Sequence, residues 1–282
     1  MNCYLCNSGN STIRKGKVRG ALNAKIHQCG GCDLVFLSGI SGIDYQEGGM
    51  HEGSISGKSV EDWLRETAED DQRRIEKFKT QITGKSVLDF GCGAGGFLLR
   101  ARDYASFSVG VELESRLAGH FQSEKLEFFA DIDDLELGKT FEVITAFHVV
   151  EHLTDPRSTL RKLKGRLAKE GDLIIEVPNV DDALLTLFES TSFSNFTYWS
   201  CHPYLYNAST LERLAEQANL RLKGIEYVQR YPLSNHLYWL AKGEPGGHQH
   251  WDYLNSPDLT SAYENVLAEI GKSDTIIGSF SH

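Results

Sequence analysis

The chain has 282 residues, 40% of them apolar and 24% charged, enough for one sizeable α/β domain with a small appendage. Lys and Arg number 29 against 39 Asp and Glu, and the net charge of −10 argues against a nucleic-acid partner, which needs clustered cations. No apolar stretch approaches the ~20 residues that cross a bilayer and MNCYLCNSGN has no signal core, so a cytoplasmic protein without a membrane span is expected.

Four of the six cysteines fall early in the chain as two C-x2-C pairs, Cys3 with Cys6 and Cys29 with Cys32. A gap of about 20 residues between the pairs suits tetrahedral zinc on four thiolates, and with all four ligands from protein the metal is expected to be structural. Residues 1–40 hold too few large apolar groups to fold without such a staple and read as a zinc-ribbon module. Residues 41–82 read as a Gly- and Ser-rich linker or lid followed by a helix. Ser59 with Asp62 forms a capping pattern, and Trp63, Leu64, Ile75, Phe78 and Ile82 recur at helical spacing. Tyr45, Met50 and His51 in the linker are candidates to close over an acceptor.

From Ser86 the pattern alternates strand and helix through SVLDF, FSVGVEL, LEFFA, FEVITAF and DLIIEVP. This implies βαβ units and a doubly wound, mostly parallel α/β sheet, with LKGIEYV and HLYWLAK completing seven strands in a core of residues 83–243. Ahead of these two strands a helix is expected from Ser209, with Ser209 and Glu212 as its capping box. Residues 244–282 read as a C-terminal tail with one amphipathic helix from Pro257 to Ile270.

The chemistry centres on VLDFGCGAGG, Val87 to Gly96, where the first core strand should turn into a helix. Gly91, Gly93 and Gly95 let backbone approach a ligand, and the helix start presents its N–H groups. Gly91, Gly93 and Gly96 also fit a dinucleotide fingerprint, which would make the chain a nicotinamide-dependent oxidoreductase. Asp89 weighs against that, because a carboxylate beside the loop repels a pyrophosphate but suits S-adenosylmethionine (SAM), whose ammonium and sulfonium are cationic. Glu112, about 20 residues on, can accept both hydroxyls of an adenosine ribose.

Together D-F-G-C-G-A-G, the acid of VGVEL, Asp131 of FFADIDD, and FHVVEHLTDP resemble the class I SAM-dependent methyltransferases over roughly Ser86 to Lys242. The resemblance implies Asp89 and the loop backbone at Gly91, Cys92, Gly93 and Gly95 around the methionine portion, and Glu112 on the ribose. It further implies Asp131 near the adenine amino group, with Phe147 and His148 lining the floor beneath the sulfonium. With the cysteine module in front, the chain is similar to bacterial methyltransferases of deoxysugars and surface glycans, whose sugar C-methylating members use a histidine after the fifth strand as base. YWSCHPYLYNASTLERL puts His202 at that position with Tyr204 beside it, so His202, His148 and Tyr204 are the catalytic candidates. Phe193, Phe196, Tyr198 and Trp199 crowd the preceding insert and are available to stack on a sugar ring, whereas Cys92 and Cys201 read as packing thiols. The expected reaction is O-methylation of a sugar, nucleotide-linked or part of a surface glycan, with a histidine general base. An antibiotic or other small metabolite as acceptor, or a zinc-ribbon binding module on an idle SAM fold, are the alternatives. The oligomeric state is left open, a homodimer included.

Overall fold

In this computed structural model residues 2–41 and 59–282 are described, so the lid expectations for Tyr45, Met50 and His51 lie outside the described residues. Strands β1 (Ser11–Ile13), β2 (Lys25–Cys29) and β3 (Val35–Ser38) form an antiparallel meander beside the cysteine pairs. Helix α1 (Val60–Ile82) is capped as expected, the Ser59 hydroxyl accepting the Asp62 N–H at 3.0 Å, and it buries Ile75, Phe78 and Ile82. Next come β4 (Ser86–Phe90), α2 (Gly96–Ala101), β5 (Phe107–Val111), α3 (Ala118–Glu124), β6 (Glu127–Phe129), β7 (Phe141–Phe147), α4 (Pro156–Arg166) and β8 (Leu167–Pro178). An insert then carries α5 (Ala183–Thr186), α6 (Thr191–Thr197) and β9 (Tyr204–Leu205). The chain ends with α7 (Ala208–Gln217), β10 (Arg221–Val228), α8 (Leu233–Lys242), α9 (Gly247–His250), α10 (Pro257–Glu269) and β11 (Thr275–Ser281).

The large sheet has seven strands in the order β10-β11-β8-β7-β4-β5-β6, parallel except where β11 runs antiparallel between β8 and β10. Strand order reverses at β4, which lies between β5 and β7, and a doubly wound sheet opens its ligand crevice at such a switch point. The α/β class, the seven strands and the small N-terminal ribbon are as the sequence implies.

Two elements differ from the sequence reading. HLYWLAK is not a strand but part of α8, delimited by Pro232 ahead of it and by Gly243 in the left-handed conformation after it. Its apolar run is helical because Asn235, His236 and Trp239, three to four residues apart, share the buried side. The seventh strand is instead TIIGSFS at the end of the chain, so the sheet extends beyond the 83–243 segment into the expected tail. The start of α7 also shifts: Asn207 is the N-cap, its side chain accepting the Thr210 N–H at 3.0 Å while the Thr210 hydroxyl accepts the Asn207 N–H, and Ser209 lies inside the helix.

The ribbon is built into the core, because β9 adds to β3 as a fourth strand, pairing Phe36 with Tyr204. Buried Cys3, Leu5, Leu34 and Phe36 share one apolar cluster with Leu88, Ile144 and Leu211 of the large sheet. At the other side of the sheet α1 is anchored by charge. Glu176, fully buried on β8, accepts from Arg73 and Arg74 of α1 at 2.8 Å each, and the His148 ring lies 3.1 Å away. Burial works against this carboxylate, but Arg74, His148 and Arg73 hold its pKa well below the ordinary range. Glu176→Gln leaves two guanidinium groups without their counter-charge and should cost about 3–5 kcal/mol of stability at pH 7. Urea unfolding should show the gap to wild type shrinking as the pH falls below about 4, since a carboxylate with a lowered folded pKa loses its contribution on protonation.

Candidate functional site

At the carboxyl edge of β4, β5 and β7 opens a cavity of about 370 Å³. The chain leaves β4 through Gly91 and Gly93, both in the left-handed region with φ of +72° and +54°. A Cβ on Gly91 would lie 2.4 Å from Val149 Cγ2, and one on Gly93 2.9 Å from Trp63 Cζ2, so these backbones approach their neighbours too closely for any side chain. Asp89, Gly91, Cys92, Gly93, Glu112, Phe147 and His148 all line this cavity, which brings together most of the residues singled out in the sequence.

The two acids differ in how they are held. Asp89 accepts from the Thr145 hydroxyl at 2.7 Å, and burial pushes its pKa up to about 7 despite that bond and the nearby Arg74. Glu112 accepts the Gly93 N–H at 2.9 Å and the Glu114 N–H at 3.0 Å, while burial raises its pKa as well. A cavity that holds two half-compensated carboxylates is built to receive cationic and hydrogen-bond-donating groups. Cys92 is buried with its thiol pKa raised well above the usual value by burial, which suits packing rather than nucleophilic attack.

Phe147 meets Phe97 edge-on at 5.1 Å between ring centres, and the Arg74 guanidinium lies over the Phe147 ring, 4.6 Å from its centre. His148 follows in the left-handed conformation, φ +56°. Its Nδ1 lies 3.1 Å from Glu151 Oε1, and its Nε2 lies 3.1 Å from Glu176 Oε1 and 3.2 Å from Arg230 Nη1. Burial and Arg230 oppose a proton on this ring, yet the two carboxylates outweigh them and its pKa is raised.

Four expected residues stand elsewhere. Gly95 starts α2 against Leu126 and Phe121, and it is not among the cavity's lining residues. Asp131 caps the short helical turn after β6, accepting the Asp133 N–H at 2.8 Å, and it too is outside the lining. Tyr204 pairs in the ribbon sheet and packs its ring 4.9 Å from Tyr4. His202 is separated from the cavity by His152, a lining residue whose ring it meets edge-on at 4.5 Å, and burial lowers its pKa to about 3.

Sequence reasoning missed Trp63, Asp71, Arg74 and Arg230 as walls of the cavity. The signal for Asp71 and Arg74 was the charge-dense AEDDQRR stretch inside an amphipathic helix, where the two pair at i,i+3 and are buried. Arg230 had no local signal; it reaches across to Asp70 of α1, with Nε to Oδ1 at 2.9 Å. A second cavity of about 220 Å³ adjoins this one through Arg230, with Phe193, Phe196 and Trp239 among its walls. In the ribbon, Cys3 and Cys32 sulfurs are 3.5 Å apart, Cys6 and Cys29 sulfurs 3.3 Å, and all four lie within 4.8 Å of one another.

A family model described as a methyltransferase domain matches residues 63–223. The chain belongs to that family. This methyltransferase is similar to a ubiquinone biosynthesis O-methyltransferase of Coxiella burnetii, with 26% identity over 176 residues that cover 57% of this chain and 75% of the relative. It is also similar to a tRNA U34 carboxymethyltransferase of Colwellia psychrerythraea, 32% identical over 118 residues, 38% of this chain and only 36% of that relative. Among solved structures, a SAM-dependent methyltransferase from Archaeoglobus fulgidus matches with a TM-score of 0.54 and 20% identity, covering 78% of this chain and 99% of the other. Another, from Thermotoga maritima, matches with a TM-score of 0.51 and 16% identity over 78% and 93% of the two chains. These structures show the fold, and with the family match they make the chain a SAM-dependent methyltransferase.

The close approach of Gly91 to the turn after β7 is directly testable. Gly91→Ala should destabilise the methyltransferase by about 2–4 kcal/mol, combining overpacking against Val149 with left-handed strain. Adding Val149→Ala removes both Cγ atoms that the new methyl meets and should restore part of the loss in a thermal melt, the strain persisting. Equal stability of the single and double variants would rule out the packing contribution.

Proposed function

We propose that this methyltransferase transfers its methyl group to a sugar hydroxyl, on a nucleotide-linked sugar or a surface glycan. SAM supplies an electrophilic methyl group on a sulfonium. The cavity's residues fit SAM: Asp89, lifted to about 7 by burial, gains a counter-charge from an ammonium, and Glu112 offers its lone pairs to two ribose hydroxyls beside the Gly93 amide. Phe147 and Trp63 supply apolar walls that keep water from the reacting centre.

The observation that carries the sugar reading is the adjoining cavity, which Phe193, Phe196 and Trp239 line together with Asn179, Asp182 and Asn235. Aromatic side chains interspersed with amides and a carboxyl are what a polyhydroxylated ring requires. The shared Arg230 puts this pocket next to the cofactor cavity, and the net charge of −10 supports a small acceptor over a nucleic acid. A phenolic hydroxyl is the second reading, supported by the likeness to ubiquinone O-methyltransferases.

The acceptor's proton is assigned to His148, the catalytic candidate that lines the cavity. With Nδ1–H donating to Glu151, Nε2 accepts from Arg230 in the neutral ring. The acceptor hydroxyl takes the place of Arg230 on the Nε2 lone pair, and once Nε2 holds its proton Glu176, 3.1 Å away, stabilises the new charge. In the ribbon, the four converging sulfurs fit zinc in a structural role.

For the cofactor, calorimetry should show S-adenosylhomocysteine binding and no NAD binding. Affinity should rise through pH 7 in wild type as Asp89 ionises to meet the ammonium; Asp89→Asn should bind more weakly with a flat profile, and Glu112→Ala more weakly at every pH. NAD binding in place of the homocysteine ligand would overturn the cofactor assignment.

For the acceptor, methyl-labelled SAM offered with nucleotide sugars, a catechol and bulk tRNA should label the sugar fraction. His148→Ala should lower turnover by about 10²–10⁴. Label confined to the catechol or the tRNA would replace the sugar reading.

A further inference from the structure

We propose that His152, Cys201 and His202 form a second metal site at the wall of the cofactor cavity, suited to a divalent transition ion and above all zinc. Their ligand atoms all lie within 4.8 Å of one another. Zinc bonds of about 2.0–2.3 Å to nitrogen and sulfur set tetrahedral edges of roughly 3.3–3.8 Å, so the ligand atoms have at most about 1.5 Å to draw together. Two imidazoles and one thiolate are a borderline-soft set that selects zinc over magnesium or calcium.

The three ligands come from two segments about 50 residues apart in sequence, held by contacts unrelated to metal. His152 closes the short helical turn after β7, and its ring bonds the Cys201 backbone carbonyl. Cys201 and His202 sit in the turn ahead of β9, where the His202 N–H donates to the Trp199 carbonyl at 2.9 Å. The ribbon braces that turn from outside: the Arg19 N–H donates to the Tyr198 carbonyl at 2.8 Å and the Ser200 N–H to the Arg19 carbonyl at 2.9 Å. The imidazoles of His152 and His202 meet edge-on, 4.5 Å between ring centres.

An independent observation points to a cation. Glu151 is buried, and while its Oε1 contacts His148, its Oε2 has no hydrogen-bond partner among the described residues. Its charge acts on both His152 and His202. A bare carboxylate oxygen in a dry interior is costly, and a dication on the adjacent ligands supplies the missing compensation. The ribbon's four cysteines form a set of their own that does not include Cys201.

The test is metal stoichiometry on the full chain, loaded with zinc and dialysed free of excess, with no acceptor present. Wild type should hold about two zinc ions, Cys29→Ser about one, and Cys201→Ser and His202→Ala about one each. Cobalt-loaded Cys29→Ser should show tetrahedral visible bands with a thiolate charge-transfer feature that Cys29→Ser/Cys201→Ser lacks. Circular dichroism confirms that each variant is folded, and His202→Ala reads the site if Cys201→Ser is not. Wild type holding one ion or none, or a folded His202→Ala retaining two, overturns the proposal while leaving SAM binding and sugar methylation untouched.

Discussion

The carboxylate of Glu176 has no access to solvent, and everything that makes it tolerable arrives from outside its own strand. Arg73 and Arg74 come from α1, and His148 from the turn after β7. A buried charge of this kind is stable only while its partners are in place, so α1 docks in one position and the turn adopts one conformation. The rest of the cavity follows from that docking. With α1 fixed, Trp63 lies over Gly93, Asp71 lies against Gly96, and Asp70 meets Arg230 from the far edge of the sheet. The same pair explains why His148 holds a left-handed backbone: the His148 N–H donates to the Glu176 carbonyl at 2.8 Å while its ring meets the Glu176 carboxylate.

A second constraint comes from the ribbon, which would be too small to bury a core by itself. It shares one with the methyltransferase sheet, through Leu5, Leu34 and Phe36, and it borrows β9 as its fourth strand. Tyr4 reaches the N-terminus of α4, bonding Asp155 while its hydroxyl accepts the Arg157 N–H. The Leu37 N–H donates to the Pro203 carbonyl. Whatever holds the four sulfurs together therefore also positions the segment from Tyr198 to Leu205, which carries the histidine and cysteine beside the cavity. The cysteine module and the wall of the cavity beside it are mechanically one unit.

The sequence alone was sufficient for what depends on short-range pattern. The strand before the glycine loop, the glycines themselves, Asp89, Glu112, the alternation of strand and helix and the paired cysteines are each written in a few neighbouring residues, because turn geometry, pleat and metal spacing are local requirements. Other features were decided only by the tertiary structure. The apolar run at HLYWLAK serves a strand or a helix equally well, and the burial of one side between Pro232 and Gly243 selects the helix. TIIGSFS becomes a central strand because a gap between β8 and β10 accepts it from the end of the chain. That His148 and His152 line the cavity while His202 packs behind His152 is likewise tertiary, because the path of an insert depends on what it packs against. The ion pairs of Glu176 and Arg230 span 102 and 160 positions, and pairing over such distances is set by the folded chain as a whole, not by any segment of it.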